Sequence, residues 1–169
     1  MVKKYNQGFS LLELMIVVLI LGILLALAIP QLREPYGRYN LQSAAYGLAE
    51  DIRLHMQQTI NAQDTLSTYR IKFDTTNNKY YLQRNSDVLQ IINLPASVEL
   101  VYTNFDWDSN GIKDHVLAFN ISGKPHPRGG TVTLRDRYSG ELLYVIIANI
   151  TGRVRVDNKP PAPDSEYEF

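Results

Sequence analysis

The 169-residue chain contains no cysteine. That excludes disulfide staples, cysteine nucleophiles and thiolate metal sites, so a folded domain here must be held by its apolar core. Charge of neither sign is in excess: 17 Lys and Arg balance 17 Asp and Glu, which excludes a uniform polycation. No G-x-S-x-G, Walker A, H-E-x-x-H or dinucleotide-binding glycine motif occurs. The three histidines, His55, His115 and His126, are scattered along the chain. With no constellation of nucleophile, base and orienting group, the expectation is a non-enzymatic protein.

What is present is unevenly distributed. Phe9 to Ile29 is an apolar run of 21 residues with one charge, Glu13. At about 1.5 Å per residue a helix of that length spans about 30 Å, the thickness of a bilayer's hydrocarbon core. Lys3 and Lys4 precede it, and basic residues stay cytoplasmic. The N-terminus is therefore expected in the cytoplasm and the rest of the chain outside it. An acid at the centre of such a helix costs about 2.5–3.5 kcal/mol on insertion scales and marks a functional position.

Three readings of this segment compete. It is a plain anchor, or a secretory signal cut at the A-x-A pattern Ala26-Leu27-Ala28, or a leader cut before the run, between Gly8 and Phe9. Only the third gives Glu13 a purpose. Cutting there frees an α-amino group at Phe9, which is substantially cationic near neutral pH because such amines titrate at about 7.7–8.0. In a low-dielectric helix bundle, a neighbour's amine and this carboxylate attract far more strongly than in water. One buried charge alone is costly, whereas the pair is tolerable. A contact between Phe9 and Glu13 of one chain is the local alternative. Gly22, within the span, lets another helix approach closely.

Pro30, Pro35 and Gly37 predict a kinked or partly melted helix after the span. From Arg38 the helical period resumes: Leu41, Ala44, Ala45, Leu48, Ile52, Met56 and Ile60 form a stripe expected to pack on the domain's own sheet. His55 on this helix is expected at the surface or its boundary. Beyond it, 11 tyrosines and many β-branched residues favour strands. The pattern predicts strands at Thr68–Phe73, Lys79–Arg84, Val88–Ile92, Ser97–Tyr102, His115–Asn120, Gly130–Asp136, Leu142–Asn149 and Arg153–Val156. Turns fall at Thr76-Asn77-Asn78, Ser139-Gly140 and Thr151-Gly152. The fold class is α+β: a long N-terminal helix, transmembrane then amphipathic, packed on an antiparallel β-sheet or sheet pair. The layout is a leader at 1–8, a transmembrane half-helix at 9–30, an amphipathic half-helix at 31–62, a β head at 63–158 and an acidic, proline-rich tail at 159–169, read as disordered.

Calcium is the one cofactor the residues raise. Asp106, Asp108, Asn110, Ile112 and Asp114 stand at positions 1, 3, 5, 7 and 9 of a calcium-loop pattern. Leu117 occupies the place of the usual bidentate glutamate, and a plain Asp/Asn/Gly turn fits the same residues.

The stretch GFSLLELMIVVLILGILLALAIP resembles the class III leader of type IV pilins and type II secretion pseudopilins. The resemblance implies that a prepilin peptidase cuts between Gly8 and Phe9 and methylates Phe9. It also implies that Phe9, Glu13 and the helix-bending Pro30 serve assembly with other pilins on an inner-membrane platform. The protein would be embedded in the inner membrane before it enters a pilus or pseudopilus. Farther on, VLAFNISGKPHPRGGTVTL and GELLYVIIANITGRVRV are similar to the GspH/FimT group, the H-type minor pseudopilins and FimT-type minor pilins. In the FimT type a G-R-x-R motif is implicated in DNA binding, which here would be carried by Arg153 and Arg155. On a strand both point to one face, where guanidinium groups grip successive phosphates. Lys124 and Arg128 add charge, and between residues 121 and 159 seven Lys and Arg face three acids. His126, in Lys124-Pro125-His126-Pro127-Arg128, suits a phosphate contact better than a metal ligand. A solvated strand face fits the same arginines. The resulting expectation is a minor pilin or pseudopilin, a structural subunit for protein secretion. A DNA-binding minor pilin of natural transformation is the alternative, and a calcium-stabilised, membrane-anchored binding module the second.

Overall fold

The structure is a computed structural model and describes residues 10–63, 68–106 and 114–161. Helix α1 (Leu11–Ala62) is followed by β1 (Tyr69–Asp74), β2 (Lys79–Arg84), β3 (Asp87–Asn93), β4 (Val98–Thr103), β5 (Val116–Phe119), β6 (Pro125–His126), β7 (Gly130–Asp136), β8 (Leu142–Ile147) and β9 (Val154–Asp157). The chain divides into two units, residues 1–36 and residues 37–169.

The partial melting expected as one alternative near the prolines is absent: the helix is continuous through Pro30, Pro35 and Gly37. Proline's fixed φ is itself helical, and each ring removes a single bond from the ladder. In a helix of 52 residues the remaining bonds carry the turn.

Within the second unit, α1 buries one stripe: Leu41, Ala45, Leu48, Ala49, Ile52, His55 and Thr59. His55 was expected at the surface or its boundary and is instead buried, 2% exposed. It lies three residues after Ile52 and four before Thr59, so the helical period carries it onto the same face. Its ring meets Tyr69 edge-on, with centroids 5.8 Å apart.

The strands form two antiparallel sheets, ordered β3-β2-β1-β5-β6 and β4-β7-β8-β9. Seven of the strands offer buried side chains to one shared core, while β3 reaches it only through the partly buried Ile92. Ile71, Phe73, Tyr80, Leu82 and Leu117 come from the first sheet, and Leu100, Val132, Leu134, Val145 and Ile147 from the second. Phe73 stacks on Phe105 at 5.5 Å. Eight strands lie within two residues of their expected bounds; β6, two residues long, is too short to show a pattern.

Polar contacts fix the direction of α1 across the head. Asn40 donates to Ser97 Oγ (2.9 Å), Tyr80 donates its hydroxyl to Asp51 (2.6 Å), and Arg53 donates to the Val154 carbonyl (2.9 Å). The helix thus runs from the β7–β8 turn toward the β8–β9 turn. At the first of these turns Asp136, fully buried, accepts from the amides of Tyr138 and Ser139 and from the Ser139 hydroxyl (2.6 Å). Gly37 lies against this carboxylate: a Cβ there would fall 2.5 Å from Asp136 Oδ1. Burial works to raise the Asp136 pKa, but the bonds from Ser139 and Tyr138, with Arg38 nearby, outweigh it and hold the carboxyl below its ordinary range.

Candidate functional site

Two regions carry the expected functional residues. In the first, Gly8 and Phe9 lie outside the described residues. Ser10 accepts the Glu13 amide on its side-chain oxygen (3.2 Å) and the Leu14 amide on its carbonyl (3.2 Å). Ser10 is therefore an N-cap, and Ser10-x-x-Glu13 is the pattern of a capping box. Sequence reasoning had read Glu13 only as an intramembrane charge and passed over this motif, although its spacing was plain. Glu13 also sits in the first turn, where the helix dipole favours negative charge. Leu11–Ile29, 19 residues, is long and apolar enough to cross a membrane, and none of it is buried.

The second region is the set of seven cations between residues 121 and 159. They do not form one patch. The sheet register aligns Gly130 with Ile147 and Ile147 with Val154 at one end of the second sheet, and Arg135 with Leu142 at the other. Five steps of β7 at about 3.3 Å each separate Gly130 from Arg135 by about 17 Å. Lys124, Arg128 and Arg153 gather at the end of the head where α1 finishes. Arg135 and Arg137 lie at the end where Gly37 of α1 packs on Asp136, and Lys159, leaving β9 past Asp157, heads the same way. Sequence spacing could not show this, because antiparallel strands return their ends to opposite edges.

Ion pairing sorts the cations further. Arg135 binds Glu99 through Nη2 (2.5 Å) and Nε (3.0 Å), and this holds the Glu99 pKa below its ordinary value. Arg38 meets Glu141 at 3.3 Å, Arg155 meets Asp157 at 3.3 Å, and Arg128 lies 4.0 Å from Asp106. Arg153 and Lys124 have no carboxylate within reach among the described residues. Arg153 is exposed at the start of β9, and its amide bonds Thr151 Oγ1 (3.3 Å).

Arg53 is a residue that the sequence reading did not single out. It leans across to the Val154 carbonyl and joins Arg153 in one cleft of about 360 Å³. Met56, Gln57, Ile60 and Thr151 complete the lining. The β8–β9 turn settles onto the helix here because Gly152 has φ +68° and no side chain; a Cβ would fall 2.9 Å from the Met56 methyl. Lys124 is on the neighbouring β5–β6 turn, its amide bonded to Asn120 Oδ1 (3.0 Å), and His126 is exposed on β6.

The calcium pattern is only partly placed. Asp108, Asn110 and Ile112 lie outside the described residues, as does the tail from residue 162. Asp106 is buried beside the Arg128 guanidinium, and Asp114 is half-buried before β5.

Comparison with known proteins bears on the first region and on the fold of the head. The model of the prokaryotic N-terminal methylation motif matches residues 3–29. A fimbrial protein of Moraxella nonliquefaciens is 27% identical over 132 residues, which is 76% of this chain and 84% of that one. Among solved structures, the minor pseudopilin EpsH from the Type 2 Secretion System of Vibrio cholerae aligns with a TM-score of 0.52 and 13% identity, over 75% of this chain and 99% of that one. The type IV minor pilin FimU of Pseudomonas aeruginosa aligns with a TM-score of 0.53 and 16% identity, over 77% and 97%. At these identities the two structures speak for the fold.

Proposed function

We propose, for a chain that is type IV pilin-like in leader and fold, that it serves as a minor pilin or pseudopilin. It is made as a precursor, cut between Gly8 and Phe9 by a prepilin peptidase and methylated on Phe9. The apolar segment then holds it in the inner membrane, N-terminus inside, until an assembly platform moves it into a filament with other pilins. Its place is in the initiating or tip complex, and its task is the export of folded protein. One observation carries this reading: Leu11–Ile29 buries none of its apolar surface and carries one acid in its first turn. Such a surface needs lipid and then neighbouring helices, and the acid needs a cation. The Phe9 amine of an adjoining subunit supplies that cation and sets the axial register of the two helices. N-terminal sequencing of the mature protein from membranes tests the processing step. Methylated Phe9 supports it; a chain starting at Ile29, after the Ala26-Leu27-Ala28 pattern, overturns it.

A second reading, DNA binding by the head, is favoured by the cations that gather where α1 ends, Arg53, Lys124 and Arg153, which have no carboxylate partner among the described residues. Binding through such a cluster is electrostatic, independent of sequence and weakened by salt. A gel shift repeated across a range of salt concentrations tests it.

A further inference from the structure

We propose that Arg53 of α1 and Arg153 of the β8–β9 turn form a clamp for a nucleic-acid phosphodiester, flanked by Lys124, and that Arg155 stands outside it. The inference rests on the DNA-binding reading and changes which residues carry it.

Four observations converge on the clamp. First, Arg53 is anchored: one of its five N–H donors is spent on the Val154 carbonyl at 2.9 Å, which leaves four for a ligand. Holding the side chain in place beforehand reduces the ordering cost of binding. Second, Arg53 and Arg153 line one cleft from different elements. That arrangement suits a phosphate with several acceptor oxygens. Third, the other polar groups of the cleft complement an anion. Thr151 accepts the Arg153 amide and keeps its hydroxyl proton to donate, while Gln57 binds Asn61 and leaves a second amide hydrogen. Fourth, among the described residues no aromatic side chain lines the cleft, so these offer no platform for stacking a base. Backbone recognition is what remains.

Arg155 is not among the residues lining this cleft. It shares a strand face with Asp157, and the two are paired at 3.3 Å. A phosphate arriving there meets a locally neutral couple and a competing carboxylate. The helix-borne Arg53, distant in sequence, takes the place that spacing alone assigned to Arg155.

The test uses the full-length chain in a nonionic detergent and a fluorescein-labelled 30-base-pair duplex, with binding measured across a range of salt concentrations. Each phosphate contact adds about 0.9 to the slope of log affinity against log salt. Arg53→Gln and Arg153→Gln should each lower that slope by about 1 and weaken binding about tenfold. Arg155→Gln should leave the slope unchanged. Arg53→Lys, which keeps the charge, should keep the slope. Because the slope counts released counterions, loss of the Arg53–Val154 bond as a structural tie does not mimic this result. If Arg153→Gln and Arg155→Gln lower the slope and Arg53→Gln does not, the clamp is wrong and the DNA reading stands. If the native chain binds no duplex, both fall. If polyglutamate displaces the duplex at equal charge concentration, the cleft takes acidic protein and the phosphodiester assignment is overturned.

Discussion

Leu11–Ile29 and Leu41–Thr59 belong to one helix and have opposite relations to solvent. The second stretch finds its apolar partner inside its own chain, against two sheets, and buries a full stripe. The first buries nothing and carries one acid beside its N-cap. A helix face is stable when something covers it. The difference therefore separates what holds the head together from what awaits other molecules. Stability should respond to changes in the second stretch and assembly to changes in the first.

The largest effect expected on stability comes from the buried stripe. Ile52→Ala should destabilise the head by about 2–5 kcal/mol, while Leu19→Ala should leave its melting unchanged. Thermal denaturation of both variants in detergent, followed by circular dichroism, measures the contrast. Equal losses would break it.

A smaller loss is expected where the head first grips the helix. Asp136→Ala removes the acceptor of two amides and a hydroxyl, and should cost about 1–3 kcal/mol in urea denaturation. The Asp136 pKa is held below its ordinary value in the folded state. Its contribution is therefore complete above the unfolded-state value of about 3.9 and is lost as pH falls through the lower folded value. A native chain with the same acid profile as Asp136→Ala would contradict this.

The smallest effect concerns His55. Burial lowers its pKa below 6.5, and the Asp51 charge only partly opposes that. Above pH 6.5 both folded and unfolded chains hold it neutral. Below that, the unfolded chain binds a proton that the folded chain resists, so stability declines with falling pH until the folded value is reached. The slope is at most about 1.4 kcal/mol per pH unit. His55→Leu should flatten the melting temperature between pH 6.5 and 5; an unchanged slope would place the sensitivity elsewhere.

The regular parts of the fold were legible because period and punctuation agree along the chain. Leu41, Ala45, Leu48 and Ile52 announce a helix face, and the Asn78, Gly140 and Gly152 turns, each at positive φ, bound the strands. The unbroken helix through Pro30 and Pro35 was not legible, because propensity counts each proline's cost and not the length of ladder that absorbs it. His55 was misjudged by residue type where its spacing gave the right answer. Of the candidate sites, the Glu13 position could be read directly from an acid in an apolar run. The cationic clamp could not, since it needs Arg53 and Arg153, one hundred residues apart in number, to be brought together by tertiary packing.

The central claim is that an acid exposed on an apolar helix is neutralised by the freed amine of an adjoining subunit. It is tested most directly by expressing Glu13→Leu in place of the native chain and measuring its recovery in sheared filaments against its amount in the membrane. The account predicts a variant that is inserted and cut normally, with methylated Phe9 at its N-terminus, yet absent from filaments. Recovery in filaments equal to the native chain would contradict it.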